Sequence, residues 1–118
     1  MADAVWAAQN GDVSKLQELQ FDANEKIKGR TLLHVAADYG QAEVIEYLVE
    51  QKQADINAID NNKLTVLLTA IYGSEGQERF KNCIKYLIKK GADKSGNAPN
   101  GSSYIDSTDD PEIKKLLA

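Results

Sequence analysis

Residues 31–40 read TLLHVAADYG, and residues 65–73 read TVLLTAIYG. Aligning Thr31 with Thr65 sets a spacing of 34 residues, and the frame returns about 38 residues further on as SSYIDSTDD at 102–110. Short acidic segments keep the same phase. ADIN at 54–57 matches ADKS at 92–95, with DAN at 22–24 as a weaker earlier copy, so Asp22, Asp55 and Asp93 mark equivalent places. A period of this size is the signature of stacked supersecondary units, each too small to bury its own apolar face.

Between these anchors the apolar residues recur with helical spacing. Val44, Ile45, Leu48 and Val49 form one stripe, and Phe80, Cys83, Ile84, Leu87 and Ile88 form another at the i, i+3, i+4, i+7, i+8 positions of a buried helix face. Thr31 and Thr65 stand where helices start, because a threonine hydroxyl satisfies free backbone N–H groups there. Gly40 and Gly91 stand where helices stop, because glycine takes up left-handed backbone without a Cβ penalty. Each unit therefore reads as a short helix, a turn, a longer helix and a hairpin-like excursion. An all-α repeat fold is expected.

The stretch GRTLLHVAADYGQAEVIEYLVEQKQADINAID (29–60) resembles the ankyrin repeat, whose pattern runs G-x-T-P-L-H-x-A-A, a Gly, V-x-x-L-L and then A-D-x-N. The resemblance covers nearly the whole chain. It implies a short solenoid of about four stacked units: an N-terminal partial repeat (1–27), a repeat (28–61), a repeat with an insertion (62–95) and a C-terminal capping repeat (96–118). More narrowly, VWAAQNGD (5–12), LHVAADYGQAEVIEYL (33–48), ADINAID (54–60), LTVLLTAIY (64–72), CIKYLIKKGADK (83–94) and IKKLLA (113–118) resemble the myotrophin-type ankyrin proteins. That resemblance implies binding to the heterodimeric actin capping protein, with steric inhibition and no turnover.

The chain departs from the family pattern at several places. Leu32 and Val66 stand where a proline is usual, so the first helical turn is less preorganised. EQKQADIN (50–57) carries one extra residue, with Lys52 and Gln53 where a helix-stopping glycine is expected. Asn62 and Lys63 replace a glycine-bearing hairpin tip, with Asn62 expected to take the left-handed conformation. GSEGQERFKN (73–82) is longer than usual and reads as an insertion at the turn between two helices, a place that accepts length. The first unit is short, and its second helix is expected to be clipped.

Composition bounds the rest. A chain of 118 residues, 42% hydrophobic and 27% charged, is one domain by size and ordinary in make-up. No segment approaches the run of about 20 apolar residues that crosses a bilayer. MADAVWAAQNGD (1–12) does not read as a signal peptide, so a cytoplasmic or nuclear setting is expected. Cys83 is alone and His34 is the one histidine, which excludes an internal disulfide and a Cys/His zinc site; no cofactor is expected. A net charge of −4 and a pI near 4.9 disfavour nucleic acid and suit a basic surface on a protein partner. A monomer is expected.

His34, with Asp38 four residues on and Thr31 three back, invites a catalytic reading, since its pKa lies near neutrality. A small hydrolase using His34 and Asp38 is the resulting alternative. The ankyrin resemblance implies instead that His34 ties neighbouring repeats together, with Thr31 as its local partner, and Leu68 at the equivalent position fits packing. None of the serines lies in a G-x-S-x-G elbow, GADKSG (91–96) lacks phosphate-loop spacing, and Cys83 lies on an apolar stripe. Asp55, Asp60 and Asp93 are expected at turns, and Asp106, Asp109 and Asp110 at a helix start. Beyond Pro111, Ile113, Leu116 and Leu117 are expected to cover the open end of the stack.

Function is then left to the surface. Tyr39 and Tyr72 are read as corresponding positions late in the short helices, Trp6 as the tryptophan that the resemblance places on the N-terminal helix, either a contact or a cap over the first repeat, and Lys28 and Arg30 as flanking Gly29 at one hairpin tip. Asp60, Asn61, Asn62 and Lys63 make the next tip. These are the candidate partner-binding residues. An ankyrin adaptor for another protein, such as a Rel-type transcription factor, is the alternative partner choice.

Overall fold

Short helices alternate with longer ones along the chain. The computed structural model describes residues 2–118: α1 (Ala2–Asn10), α2 (Val13–Glu18), α3 (Leu32–Asp38), α4 (Ala42–Gln51), α5 (Val66–Ser74), α6 (Glu78–Lys89), a 3₁₀ turn (Ile105–Ser107) and α7 (Pro111–Leu117). α1, α3 and α5 pack side by side as one layer, while α2, α4, α6 and α7 follow one another as a second. Strand pairing appears only as isolated antiparallel bridges, Ile27 with Arg30, Ile59 with Thr65 and Asn97 with Ser103, among the described residues. One continuous core runs through the stack, from Ala4 and Leu16 through Leu33, Ile45, Leu48, Leu67, Ile84 and Leu87 to Ile113 and Leu117. Leu32 and Val66, which replace the usual prolines, are fully buried, so packing compensates for the lost preorganisation.

The threonines cap as expected. Thr31 Oγ1 accepts from the His34 N–H at 3.4 Å and Thr65 Oγ1 from the Leu68 N–H at 3.1 Å. His34 is fully buried, and both ring nitrogens are engaged: Nδ1 lies 2.8 Å from Thr31 Oγ1 and accepts from the Thr31 N–H at 3.3 Å, while Nε2 lies 2.8 Å from the Leu64 carbonyl oxygen. A carbonyl can only accept, so Nε2 carries the proton and the ring is neutral. The imidazole thereby joins its own helix start to the hairpin that begins the next repeat. Leu68 replaces it one repeat on, and there the Tyr104 hydroxyl makes the cross-repeat link, 3.0 Å from Thr65 Oγ1.

A second ladder runs along the turns after the long helices. The carboxylates of Asp22, Asp55 and Asp93 each accept from the N–H two residues on, all at 2.9 Å. These turns aim Asn24 and Asn57 at the following repeat, where their Oδ1 atoms accept from the Asp55 N–H at 2.7 Å and the Asp93 N–H at 2.9 Å. The recurring aspartates thus shape a turn, and the asparagines convert it into a contact between repeats.

α2 spans 6 residues against 10 in α4 and 12 in α6, the clipped helix expected of the first unit. Beyond α6 the short helix shrinks to the 3₁₀ turn, and Asp110 caps α7 by accepting from the Glu112 and Ile113 N–H groups at 2.9 and 3.4 Å. Ile113 and Leu117 close the core, with Leu116 packed at its edge. Lys81 of α6 reaches Glu112 at 2.7 Å and Asp110 at 3.4 Å, pinning the cap from outside.

Two local expectations are corrected. Residues 39–41 connect α3 to α4 and residues 75–77 connect α5 to α6, so the 73–82 segment does not enlarge a turn. Its extra residues lengthen both helices, from 7 residues in α3 to 9 in α5 and from 10 in α4 to 12 in α6. Gly73 stays helical because it packs on Phe80; a Cβ there would meet the ring at 3.1 Å. At the second tip, Lys63 takes the left-handed backbone (φ 65°) and Asn62 does not.

Burial holds the His34 pKa below the ordinary 6.5, outweighing the Leu64 hydrogen bond and the nearby Asp60 carboxylate, which raise it. The unfolded chain therefore takes up a proton that the folded chain refuses. Stability is expected to be level above about pH 7.5 and to fall with decreasing pH below about 6.5, by at most ~1.4 kcal/mol per pH unit, levelling once the folded ring protonates. Urea unfolding between pH 5 and 8 reads this. His34→Leu leaves the Thr31 N–H without its partner and removes the junction bond to the Leu64 carbonyl, which keeps only the Asp60 N–H, so it is expected to cost ~1–3 kcal/mol at pH 7.5 and to remove the pH slope between 5 and 6.5.

Gln53 ends α4 in left-handed backbone (φ 55°), where Gly91 stands after α6 (φ 96°). Gln53→Gly is expected to stabilise by ~0.5 kcal/mol, relieved backbone strain exceeding the added freedom of the unfolded chain. A lower midpoint in urea would contradict that balance.

Candidate protein-binding surface

Burying one stripe of each short helix against the long helices leaves the opposite stripe facing outward. Aligning Gly11 with Gly40 and Thr31 with Thr65 puts Trp6, Val35 and Thr69 in one column along α1, α3 and α5. Trp6 is 52% exposed, whereas Val35 and Thr69 are buried. Among the described residues, Tyr39, Tyr72 and Ile59 are the other large apolar side chains left substantially in solvent, at 43%, 46% and 49%. An exposed aromatic is costly to leave in water and cheap to immobilise, which is why such residues anchor interfaces.

The tyrosines are not equivalent. By the threonine alignment Tyr39 matches Gly73 and Tyr72 matches Asp38; Tyr39 caps the C-terminus of α3, while Tyr72 lies inside α5. Matching them by their shared Tyr-Gly pair slips the frame by one residue, about 100° around a helix. Both still face solvent.

The first tip is a two-residue hairpin in which Lys28 (φ 53°) and Gly29 (φ 86°) are both left-handed, the geometry of a type I′ turn between Ile27 and Arg30. Ile27 and Arg30 exchange backbone hydrogen bonds of 2.7 and 3.2 Å. The second tip leans on the first: the Asn61 N–H donates to the Gly29 carbonyl at 2.9 Å, and a Cβ on Gly29 would come within 2.6 Å of the Asn61 side chain. Asn61, Asn62 and Lys63 are exposed there. Asp60 is placed differently. It is buried, and Oδ1 accepts from the Asn62 and Leu64 N–H groups at 2.8 and 2.9 Å, so it builds the tip from within and does not present its carboxylate outward.

Trp6, Lys28 and Arg30 come together. With Val5, Gln9, Ile27 and Val35 they line a cleft of about 460 Å³ between α1, α3 and the first tip. Arg30 forms one wall, held by an exposed pair with Asp38 at 3.4 Å and by donation from Nη2 to the His34 carbonyl at 3.3 Å. Tyr72 lies at the other end, in a groove shared with Glu75, Asp109 and Asp110. Ile59 sits in a third hollow, with Asn24, Lys26, Thr31, Asp55 and Ala58. Ile59 went unread in the sequence because a single isoleucine beside a turn carries no signal of its exposure.

His34 and Asp38 do not form a dyad. The imidazole is buried with both nitrogens committed within the stack, and the carboxylate faces solvent on Arg30. Cys83 is fully buried, and burial pushes its thiol up to about 12, which suppresses the thiolate needed for reaction. The chemistry this surface offers is recognition by aromatic, apolar and charged side chains.

The family description "Ankyrin repeats (3 copies)" matches residues 4–98. Human "Ankyrin repeat domain-containing protein 53" is 31% identical over 100 residues, which is 79% of this chain and 19% of that protein. "Ankyrin repeat protein B18" of Vaccinia virus (strain Ankara) is 39% identical over 75 residues, 63% of this chain and 13% of that one. The chain thus spans less than a fifth of the length of these curated relatives. Among solved structures, an ankyrin repeat domain from Acinetobacter baumannii AYE superposes with a TM-score of 0.86 at 25% identity, over 97% of this chain and 61% of that one. A chain from the complex of the Bdellovibrio bacteriovorus predatory endopeptidase Bd0816 with immunity protein Bd3460 gives 0.84 at 21% identity, over 99% of this chain and 62% of that one, a likeness of fold alone. The repeat phase, the cross-repeat hydrogen bonds and these matches together place the chain in the ankyrin-repeat family.

Proposed function

We propose that this chain acts in the cytoplasm as a protein-binding module for the heterodimeric actin capping protein, occupying the surface that would otherwise attach to filament barbed ends. Ankyrin repeats are protein-interaction modules, and the observation that carries a binding role here is the set of exposed aromatics, Trp6, Tyr39 and Tyr72, on a stack whose other large apolar side chains, Ile59 apart, are withdrawn from solvent among the described residues. The choice of partner rests on the myotrophin-type segments of the sequence, from VWAAQNGD (5–12) to IKKLLA (113–118). Inhibition would be steric and stoichiometric, needing only a rigid body of 39 × 26 × 21 Å held against the partner.

A second reading, an adaptor for another protein, is favoured by the relatives, in which the matched repeats form a small part of a longer chain. Barbed-end actin assembly in the presence of capping protein separates the two. Protein added in excess is expected to restore filament elongation and to be retained by immobilised capping protein. Saturating protein that neither binds it nor restores elongation contradicts the capping-protein reading and leaves the adaptor.

A further inference from the structure

The cleft beside Trp6 has a chemistry opposed to the protein's overall charge. The chain carries 18 acidic and 14 basic residues, a net charge of −4, yet the cleft pairs an apolar floor of Val5, Trp6, Ile27 and Val35 with two cations, Lys28 and Arg30, and no carboxylate lines it. Among the described residues Lys28 has no carboxylate within 4.0 Å, and the one carboxylate within that distance of Arg30 is Asp38, in an exposed pair at 3.4 Å. Lys26, exposed one residue before the hairpin, and Lys63, exposed on the tip that leans against it, extend the positive strip. Asp38 on Arg30 and exposed Glu25 beside Lys26 are the acidic residues next to this strip, while Glu43, Glu46 and Glu50 line a hollow against α2, and Glu75, Asp109 and Asp110 line the groove at the C-terminal end.

We infer that the Trp6 cleft docks an acidic, apolar-anchored segment of a protein partner, one large aliphatic or aromatic side chain entering beside Trp6 while flanking carboxylates meet Lys28 and Arg30. The inference rests on the binding role proposed above and adds the chemistry of the segment taken at this end. Charge complementarity selects that occupant: a basic segment would meet like charge at the cleft mouth, whereas carboxylates gain two cations at little desolvation cost. The apolar floor supplies the anchor, since an exposed indole beside buried aliphatic carbon offers a large area at low entropic cost. The left-handed turn at Lys28 and Gly29 and the Arg30 contacts to α3 preorganise the cation pair, which lowers the cost of ordering it on binding.

Trp6 is the one tryptophan in the chain, so its fluorescence reports this cleft directly. Two synthetic peptides of about twelve residues share the same leucine and phenylalanine, flanked by aspartate and glutamate in one and by lysine and arginine in the other. The acidic peptide is expected to shift Trp6 emission to the blue and to saturate. Its affinity should fall several-fold when salt rises from about 50 to about 300 mM. The basic peptide should leave the emission unchanged. Lys28→Glu with Arg30→Glu should weaken the acidic peptide about tenfold or more, with the thermal midpoint measured alongside to show that the fold is kept.

An equal response to both peptides, a stronger response to the basic one, or no response to either overturns the inference. So does an emission shift that follows protein concentration alone, which would make a second copy the occupant. Capping-protein binding is scored separately. A failed pull-down with a selective peptide response removes that partner and keeps the cleft chemistry; a positive pull-down without peptide selectivity does the reverse.

Discussion

A buried imidazole held between two repeats is the constraint on which the stack depends. No single unit here can cover its own apolar face, so stability has to come from joining units. His34 does this with one ring: Nδ1 locks the start of α3 through Thr31, and Nε2 reaches the Leu64 carbonyl in the following hairpin. The Leu64 carbonyl already accepts from the Asp60 N–H within its own hairpin, so the imidazole bond is a second link specific to the junction and fixes register as well as strength. One repeat on, Thr65 and the Tyr104 hydroxyl make the corresponding link, and the Asn24 and Asn57 ladder repeats the device on the other side of the turns.

The same device leaves a surface free. With polar links made at helix starts and turns, and aliphatic residues consumed between the layers, the outward stripe of the short helices has no structural duty. Trp6, Tyr39 and Tyr72 remain there in solvent, and the first tip brings Lys28 and Arg30 to the lining of the cleft. Rigidity and exposure therefore share a cause. Charge is divided along this surface, positive at the first tip and negative near Glu75 and Asp109, so the binding face is directional and the net charge of the chain describes neither end.

Much of this was legible in the sequence because it depends on recurrence. The threonine caps, the phase of Asp22, Asp55 and Asp93, the stripes on α4 and α6 and the tie from His34 to Thr31 all follow from spacing or from the ankyrin resemblance. What spacing could not locate was where added residues go. A ten-residue stretch with two glycines looks like a loop, yet Gly73 is held in α5 by Phe80 and the length passes into both helices. Asp60 looked like a surface charge, but its carboxylate is the acceptor around which the second tip turns. Tyr39 and Tyr72 looked paired because both precede a glycine, while the helical frame sets them one residue apart. Each miss concerns a position whose role is fixed by folded geometry, a ring packed on a glycine, backbone N–H groups turned onto a carboxylate or the helical frame, which residue type and spacing do not carry.

The tautomer of His34 tests the central claim most directly. Nitrogen-15 NMR of the imidazole at pH 7 is expected to show protonated Nε2, an unprotonated Nδ1 accepting a hydrogen bond, and a ring proton slow to exchange with water. A ring protonated on Nδ1, or one titrating freely near 6.5 with rapid exchange, would contradict the account that this histidine joins the repeats.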